Sequence, residues 1–456
     1  MVAGQELEQV EEPGELVARA AAIDVAKDSG MVCTRVPHES RSGRRVQKVW
    51  SVTARFAAVT ELADHLACQG IERVVLEATS DYWRIWLYLL EARGLQVWLV
   101  NARDVKNVPG RPKTDKLDSV WLCKLNERGM LRPSFVPPEE IRDLRALTRL
   151  RTTLTAECSR HKQRTEKILE DALVKVSAVA SDLFGKSGRA MMRALVAGER
   201  DPKVLADLAL GRLQAKKAQL AEALTGRFRE VHAYEIGLLL DLVGTLEAKI
   251  AELDTTIEAH LAALPGVPPA CPDCGLIGGG HAPGCASHGT ALLSLTERLD
   301  EIPGVGPRVA QVIIAELGLD TSQFPTAGHA SSWAKLSPQT LQSGARTRPG
   351  KTGKGNRWLR GALGDAAMAA GKTDTYLGER HRRIRRRRGK QKAIVATARA
   401  ILEIAWHLTG DQTLRFHDLG AGYYDKLDPG RQTRNKIREL ERLNPGMKVT
   451  LAAAAA

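Results

Sequence analysis

The first 135 residues of the chain alternate short apolar runs with amphipathic segments, and this order restricts the possible folds more than any other feature. β-Branched and apolar residues alternate between turn formers in three early runs, a pattern typical of strands. The predicted elements, in the order β-β-β-α-β-α-β-α, are strands over 19–25, 30–36 and 46–54, a helix over 56–68, a strand ending at 77, a helix over 82–93, a strand over 96–100 and a helix from about 114. We therefore expect a mixed sheet with helices packed against it.

Four carboxylates occupy particular positions in this order. Asp24 lies on the first strand and Glu77 at the end of the fourth, whereas Asp115 and Asp118 lie one turn apart on the last helix and share a face of it. Carboxylates grouped in this way repel one another, and a divalent cation is the natural compensation. Oxygen ligands favour Mg²⁺ or Mn²⁺, and two such ions about 4 Å apart could stabilise the attacking and leaving oxygens at a phosphorus atom.

Each of these acids could instead be an ordinary solvated carboxylate. Asp24 and Glu77 argue against that interpretation, because each interrupts or ends an apolar strand, where an unpaired charge is costly. Asp28, Asp81 and Asp104 are alternative members of the same site. The order of elements and the placement of the acids together predict an RNase H-like domain.

The charge of the chain indicates a polyanionic partner. Its formal net charge is +14, and Lys and Arg that neutralise phosphates release condensed counterions. Nucleic acid is the first interpretation and an anionic membrane the weaker one. No apolar run approaches the eighteen or so residues that span a bilayer, and the N-terminus is acidic where a signal peptide would be basic. The predicted location is a bacterial-type cytosol, in association with the nucleoid and not with a membrane.

Beyond residue 136 the pattern changes to long helices, so the predicted fold class is an α/β domain joined to an all-helical remainder. At 456 residues the chain is long for a single domain, because domains usually contain about 100–200 residues. The predicted segments are a flexible N-terminus over 1–18, a catalytic α/β domain over 19–135, a helical and coiled-coil region over 136–265, a Cys/His insertion over 266–292, a C-terminal helical domain over 293–418 and a tail over 419–456.

Two sets of cations recur at helical spacing after residue 136. They are Arg142, Arg145 and Arg149, followed by Arg160, Arg164 and Lys167. A solvated helix face is the ordinary explanation for such a pattern. The total charge of the chain favours contact with a nucleic-acid backbone instead.

A heptad-like pattern follows over about four repeats. Its members are Ile236, Leu239, Val243, Leu246, Ile250, Leu253, Ile257, His260 and Leu264. Apolar residues that alternate spacings of three and four are typical of a helical seam. An intramolecular helical hairpin and an intermolecular coiled coil both fit, and we favour a homo-oligomer, a dimer or tetramer.

Three of the seven cysteines cluster with histidines in the segment ACPDCGLIGGGHAPGCASHG. The predicted zinc ligands are Cys271, Cys274, Cys285 and His288, with His281 as an alternative. Two ligand pairs separated by a glycine-rich loop suit a tetrahedral structural Zn²⁺, because thiolate and imidazole are its preferred ligands. The alternative is a loop that holds reduced thiols.

The segment LDEIPGVGPRVAQVIIAELG predicts a helix, a tight turn and a second helix. Gly304 and Gly306 would let the backbone approach a phosphate closely, and the N–H groups that begin the second helix could accept its charge. This arrangement resembles a helix-hairpin-helix contact with a DNA backbone. A plain interhelical turn is the alternative.

A loop rich in Gly, Ser, Thr and cations precedes a further predicted helix from about residue 357. It contains Ser343, and the predicted nucleic-acid contacts around it are Arg346, Arg348, Lys351, Lys354, Arg357 and Arg360. Serine is a poor nucleophile unless its proton is removed and the developing charge is stabilised. By residue type alone, a hydroxyl that hydrogen-bonds within its own turn is the more common role.

A second concentration of charge lies between residues 380 and 392, where seven arginines and two lysines precede an alanine-rich helix. A solvated charged stretch is the usual explanation. Here the mutual repulsion of so many cations favours a bound phosphate backbone, with Arg385 and Arg386 as predicted contacts.

Seven elements in a fixed order resemble one known family. They are AIDVAKD, VLEAT, GRPKTDKLDSVWL, PSFVPP, PGVGP, QSGART and KGNRWLRGAL. Together they resemble the DEDD-type insertion-sequence transposases, which are understood as bridge-RNA-guided serine recombinases. The resemblance covers roughly residues 20–175 and 295–410, and the ordered combination is much more specific than any single element.

The resemblance implies a division of labour along the chain. The N-terminal domain would be similar to the Holliday-junction resolvase fold and bind a divalent metal through Asp24, Glu77, Asp115 and Asp118. The C-terminal transposase domain would supply Ser343 for a covalent phosphoserine link to cleaved DNA. A guide RNA would pair with donor and target DNA, so that the protein reads mainly backbone and shape.

Two departures and two alternatives accompany this interpretation. The family's loop commonly has a second glycine after Ser-Gly, where this chain has Ala345, and the Cys/His cluster is absent from the general pattern. A junction-resolving nuclease would use metal-activated water and leave Ser343 structural. A multimeric nucleic-acid-binding regulator would carry degenerate acids and cleave nothing.

Overall fold

The computed structural model describes residues 17–451 except 42, 79, 102–114, 265–292, 339, 351, 412 and 428. The chain divides into two compact units, Met1–Val136 and Pro137–Ala456. The first unit is mixed α/β and the second is mostly helical, which confirms the predicted fold class at this level. In the described part of the chain, no helix combines the length and the apolar character needed to cross a membrane.

A five-stranded sheet forms the centre of the first unit. It consists of β1 (Ala20–Val25), β2 (Ser29–Pro37), β3 (Arg45–Thr53), β4 (Arg73–Ala78) and β5 (Gln96–Asn101). The strand order is β3-β2-β1-β4-β5, in which β1, β2 and β3 pair antiparallel while β4 pairs parallel with β1 and β5. The ends of these strands agree with the prediction to within one residue.

Helices cover both faces of this sheet. One face packs against α1 (Phe56–Cys68) and α2 (Arg84–Glu91), where Trp86 is fully buried. A Cβ atom on Gly30 of β2 would lie 2.8 Å from the Trp86 ring, so the absence of a side chain there makes room for the indole. The other face packs against α3 (Asp115–Glu127).

Two long helices form the first part of the second unit. They are α4 (Glu139–Asp171) and α9 (Glu230–Ala263), and between them lie α5 (Val176–Val179), α6 (Lys186–Val196), α7 (Pro202–Asp207), a 3₁₀ helix (Gly211–Lys216) and α8 (Lys217–Ala223). The helices α4 and α9 run antiparallel, because Arg151 pairs with Asp254 at 2.9 Å while Lys162 pairs with Glu247 at 2.8 Å.

Most of the heptad-like residues of α9 are buried inside this unit. Ile236, Val243 and Ile257 are 0% exposed, and Ile250 is 8% exposed. Of the two interpretations of the pattern, the structure therefore shows the intramolecular helical hairpin. Leu246, Leu253 and His260 are half-buried, and the homo-oligomer stays a prediction.

The remainder of the second unit carries the predicted turn, the serine loop and the arginine-rich helix. Its elements are α10 (Leu295–Asp300), α11 (Pro307–Leu317), a 3₁₀ helix (Thr321–Gln323), α12 (Ala327–Trp333), β6 (Thr340–Ser343), β7 (Arg346–Pro349), α13 (Arg357–Ala370), α14 (Tyr376–Arg388), α15 (Lys390–Gly410), α16 (Tyr423–Leu427) and α17 (Pro429–Leu443). The last two helices lie in the predicted tail.

The PGVGP turn between α10 and α11 packs against α13. Gly304 has φ +86°, and a Cβ atom there would lie 2.3 Å from the carbonyl oxygen of Ala366. The backbone of Gly304 is thus needed for internal packing, whereas an added Cβ at Gly306 meets no atom within 4 Å. Contact between this turn and a DNA backbone remains a prediction.

Candidate metal and nucleophile sites

Asp24 and Glu77 are neighbours on one face of the N-terminal sheet. The parallel register of β1 and β4 sets Ile23 opposite Leu76, so the next residue of each strand follows at the same end. Ile23 and Leu76 pack beneath α1 and α2, and side chains alternate along a strand. Asp24 and Glu77 therefore lie on the α3 face, where Glu77 is only 6% exposed.

Hydrogen bonds from α3 fix its direction across this face. The Cys123 thiol donates to the carbonyl oxygen of Ala20 at 3.5 Å. The buried Asn126 amide donates to the carbonyl oxygens of Ala21 at 3.1 Å and Arg73 at 3.2 Å. The N–H of Val17, which precedes β1, also donates to the carbonyl oxygen of Glu127 at 3.1 Å. The end of α3 thus lies at the beginning of β1, and its first turn is directed towards the carboxyl ends of β1 and β4.

This direction brings Asp118 towards the end of the sheet that carries Asp24 and Glu77, without reaching their level. Asp118 precedes Cys123 by five residues, which is about 7.5 Å of helix, while four residues of strand from Ala20 reach about 13 Å towards Asp24. Asp115 begins α3, but its side chain lies outside the described residues. Among the side chains that are described, no group of three His, Cys, Asp or Glu residues could hold a metal ion.

The carboxylate oxygens nevertheless suit Mg²⁺ or Mn²⁺ in kind, since both are hard cations. Of the alternative acids, Asp81 forms an exposed ion pair with Arg84 at 3.1 Å, and Asp28 lies in the turn between β1 and β2. Asp104 lies outside the described residues, as do Lys351 and the five Cys/His positions predicted for zinc. The zinc site accordingly stays a prediction.

Ser343 ends β6 at the tip of an exposed hairpin. It pairs with Arg346 of β7 across a two-residue turn, in which Gly344 has φ +57°. Ala345 completes the turn with a negative φ, so the hairpin forms without the second glycine that the resembled family commonly has. Arg346 and Arg348 are exposed on the paired strand. A phosphate in solution could therefore reach the Ser343 hydroxyl.

A buried carboxylate that sequence reasoning missed holds the start of α13. Glu316 of α11 is 0% exposed and accepts two hydrogen bonds from Arg149, at 2.7 and 2.8 Å. It also accepts one from the Asn356 amide at 2.6 Å, while Asn356 caps α13 by accepting from the N–H groups of Trp358 and Leu359. One carboxylate thus ties α4, α11 and α13 together.

Arg145 belongs to the same network. Its guanidinium lies 3.2 Å from Glu316, and burial lowers its pKa to about 10. Arg145 and Arg149 were predicted to contact nucleic acid, whereas the structure shows both engaged by Glu316 within the protein. The other cations of this series differ, because Arg160, Arg164 and Lys167 are exposed.

Replacing Glu316 with alanine is expected to lower the free energy of unfolding by about 3 kcal/mol, because it leaves two partly buried guanidinium groups without their carboxylate. This is the lower end of the usual range, since Arg149 is 34% exposed. Chemical denaturation of the full chain measures the change. The control is Glu252→Ala, which removes a 66% exposed partner of Lys249 and should cost no more than about 0.5 kcal/mol. Equal small effects would contradict the assignment.

The fold and the two acids at the carboxyl ends of β1 and β4 define the class of protein. It has an α/β domain with candidate metal-binding acids, followed by a helical domain with exposed cations. Residues 21–173 match a family model described as a transposase, of the DEDD type found in IS110. Residues 296–401 match the model for the transposase IS116/IS110/IS902 family. The two matches cover more than half of the chain, which belongs to the IS110 family of insertion-sequence transposases.

Two relatives agree with this assignment. The chain is 33% identical over 131 residues to an uncharacterized 43.6 kDa protein of insertion element IS110 from Streptomyces coelicolor, which is 28% of this chain and 32% of that protein. It is 25% identical over 350 residues to a probable family 20 transposase from Pseudomonas aeruginosa, which is 75% of this chain and 84% of that protein. The family implies cleavage and rejoining of DNA, and DEDD transposases typically use a divalent metal.

Proposed function

We propose that the protein is a recombinase that moves an insertion sequence through a covalent phosphoserine intermediate. The observation that carries the proposal is the adjacency of Asp24 and Glu77 at the carboxyl ends of two parallel strands, in a family of DEDD transposases. Their carboxylates, with those of Asp115 and Asp118, would hold Mg²⁺ or Mn²⁺. When bound, the metal would polarise the scissile phosphate and offset its developing charge.

Ser343 would attack the scissile phosphorus through its hydroxyl oxygen. A new phosphoserine bond forms as the bond from phosphorus to the leaving oxygen of the DNA strand breaks, and the serine proton passes to a nearby base. A hydroxyl of the partner strand then attacks the same phosphorus and releases Ser343. The exposed Arg346 and Arg348 would bind the flanking phosphates, since both lie in the same hairpin.

This chemistry joins residues from two units of the chain. Asp24 and Glu77 belong to the first unit and Ser343 to the second, so the active site would be composite, within one subunit or between two. A homo-oligomer would supply the several active sites that strand exchange requires. A guide RNA would choose the donor and target sequences by base pairing. The Cys/His cluster would hold a structural zinc.

The direct test is the capture of a covalent adduct. The full-length protein, purified from cells that contain the complete element, is incubated with Mg²⁺ and supercoiled DNA that carries the element ends, and the reaction is stopped with detergent. A phosphoserine intermediate leaves protein attached to DNA after denaturation. Cleavage without an adduct would instead support a junction-resolving nuclease that uses water, and binding without cleavage would support a regulator.

The guided mechanism has a separate test. Protein purified from cells that contain the complete element should carry a discrete RNA, and ribonuclease treatment should abolish recombination of donor and target DNA. Unguided transposition would persist after that treatment. Because the adduct assay follows the fate of Ser343 and this one follows the RNA, either part of the proposal can fail without the other.

A further inference from the structure

A groove in the C-terminal unit combines an apolar floor with a cationic rim. It lies between the first turns of α13 and the beginning of α15 and has a volume of about 620 Å³. Ile394, Val395 and Ala398 of α15 form much of the floor. Its size lies within the range of pockets that bind small organic groups, about 300–1,000 Å³.

Two glycines keep the groove open on the α13 side. Gly361 and Gly364 lie three residues apart, hence on one helix face, and both line the cavity. A Cβ atom built at either position meets no atom within 4 Å, apart from the helix's own backbone and the flanking residues. Glycine weakens a helix interior, so two of them facing an open groove are unfavourable for folding alone.

Cations surround the mouth of the groove. Lys354, Arg357 and Arg360 lie on one side, and Arg360 donates to the carbonyl oxygen of Gly353 at 2.7 Å, which holds its guanidinium in place. The Arg357 guanidinium lies 4.3 Å from the centre of the Trp358 ring. An anionic group at the rim and an uncharged ring on the floor would satisfy both parts of the groove.

A second cavity of about 460 Å³ continues the groove. Ile394 lines both cavities, and the second adds three cations, Lys372, Arg385 and Lys390, together with one carboxylate, Asp365. Cations therefore outnumber acids in both cavities, as a backbone with repeated phosphates would require.

We propose that this groove binds unpaired nucleotides of the DNA strand that the protein cleaves. The faces of bases in a duplex are covered by their neighbours, so only an unpaired base can lay a face on the floor while its phosphate meets the rim. The inference rests on the proposed function, because it places the ligand next to Ser343. Lys354, at the rim of the groove, follows Pro349, the last residue of β7, by five residues. The DNA strand next to the phosphoserine bond at Ser343 would enter the groove at this point.

The test fills the groove without removing any contact. In Gly361→Leu the new side chain projects into the cavity, and leucine favours the helix more than glycine does. The matched control is Gly244→Leu in α9, where an added Cβ also meets nothing within 4 Å. Fluorescence anisotropy compares the affinity of the full-length variants for labelled single-stranded DNA and for the same sequence as duplex, at one salt concentration.

We expect Gly361→Leu to weaken binding of single-stranded DNA at least about tenfold, because the leucine side chain would take the place of a base on the aliphatic floor of the groove. Binding of duplex and the Gly244→Leu control should change less than about twofold. Gly364→Leu, one turn further along, should behave like Gly361→Leu and guards against misfolding of either variant. Unchanged affinity for single-stranded DNA, or an equal loss for duplex, would overturn the proposal; single-stranded RNA of the same sequence is measured in parallel, and a loss confined to it would also overturn the proposal. The assay involves no cleavage, so its result is independent of whether Ser343 is the nucleophile.

Discussion

Recombination by the Ser343→Ala protein is expected to fall by at least about 10⁴-fold, because removal of a covalent nucleophile eliminates the step on which the others depend. The detergent-resistant protein–DNA adduct should disappear at the same time. The fold should remain intact, since the Ser343 side chain is exposed at the tip of the β6–β7 hairpin. Strand exchange between donor and target DNA and adduct formation are measured on the same preparations.

The matched control for this variant is Thr347→Ala. Thr347 lies on the opposite strand of the hairpin, paired with Gln342, and is also exposed. Its loss removes a hydroxyl from the same local structure without touching the proposed nucleophile, so activity should stay within a few-fold of wild type. Normal recombination by Ser343→Ala would show that the covalent mechanism is wrong for this protein.

Asp24→Asn and Glu77→Gln are each expected to lower strand cleavage by about 10³-fold. Each substitution keeps the size of the side chain and removes a metal-binding charge, and a catalytic metal contributes several kcal/mol to stabilisation of the transition state. Mg²⁺ should raise the melting temperature of the wild-type protein, because a ligand that binds only the folded state stabilises it. The same addition should have little effect on either variant.

Asp28→Asn tests whether position matters beyond charge. Asp28 is an exposed acid in the turn that directly follows β1, four residues from Asp24, and was an alternative member of the site. We expect its replacement to leave both cleavage and the Mg²⁺ response nearly unchanged. If Asp28→Asn abolished cleavage and Asp24→Asn did not, the assignment of the acids to the two strands would be wrong.

The basic helix faces show where sequence patterns stop being informative. Arg145 and Arg149 follow the same spacing as Arg160 and Arg164, yet the first two engage Glu316 and the second two are exposed. A helical period identifies which residues share a face, but it does not reveal what that face meets. The heptad-like pattern of α9 has the same limitation, because the same apolar seam can pack against a helix of the same chain or of another chain.

The sequence by itself determined the order of strands and helices in the first unit, with Asp24 on the first strand and Glu77 at the end of the fourth. These depend on short-range periodicity, and the parallel register then makes the two acids neighbours. Only the tertiary structure decided the role of Glu316, whose ion pair with Arg149 joins residues 167 positions apart. It alone also revealed the groove between α13 and α15, because a cavity depends on which side chains are absent where two helices meet.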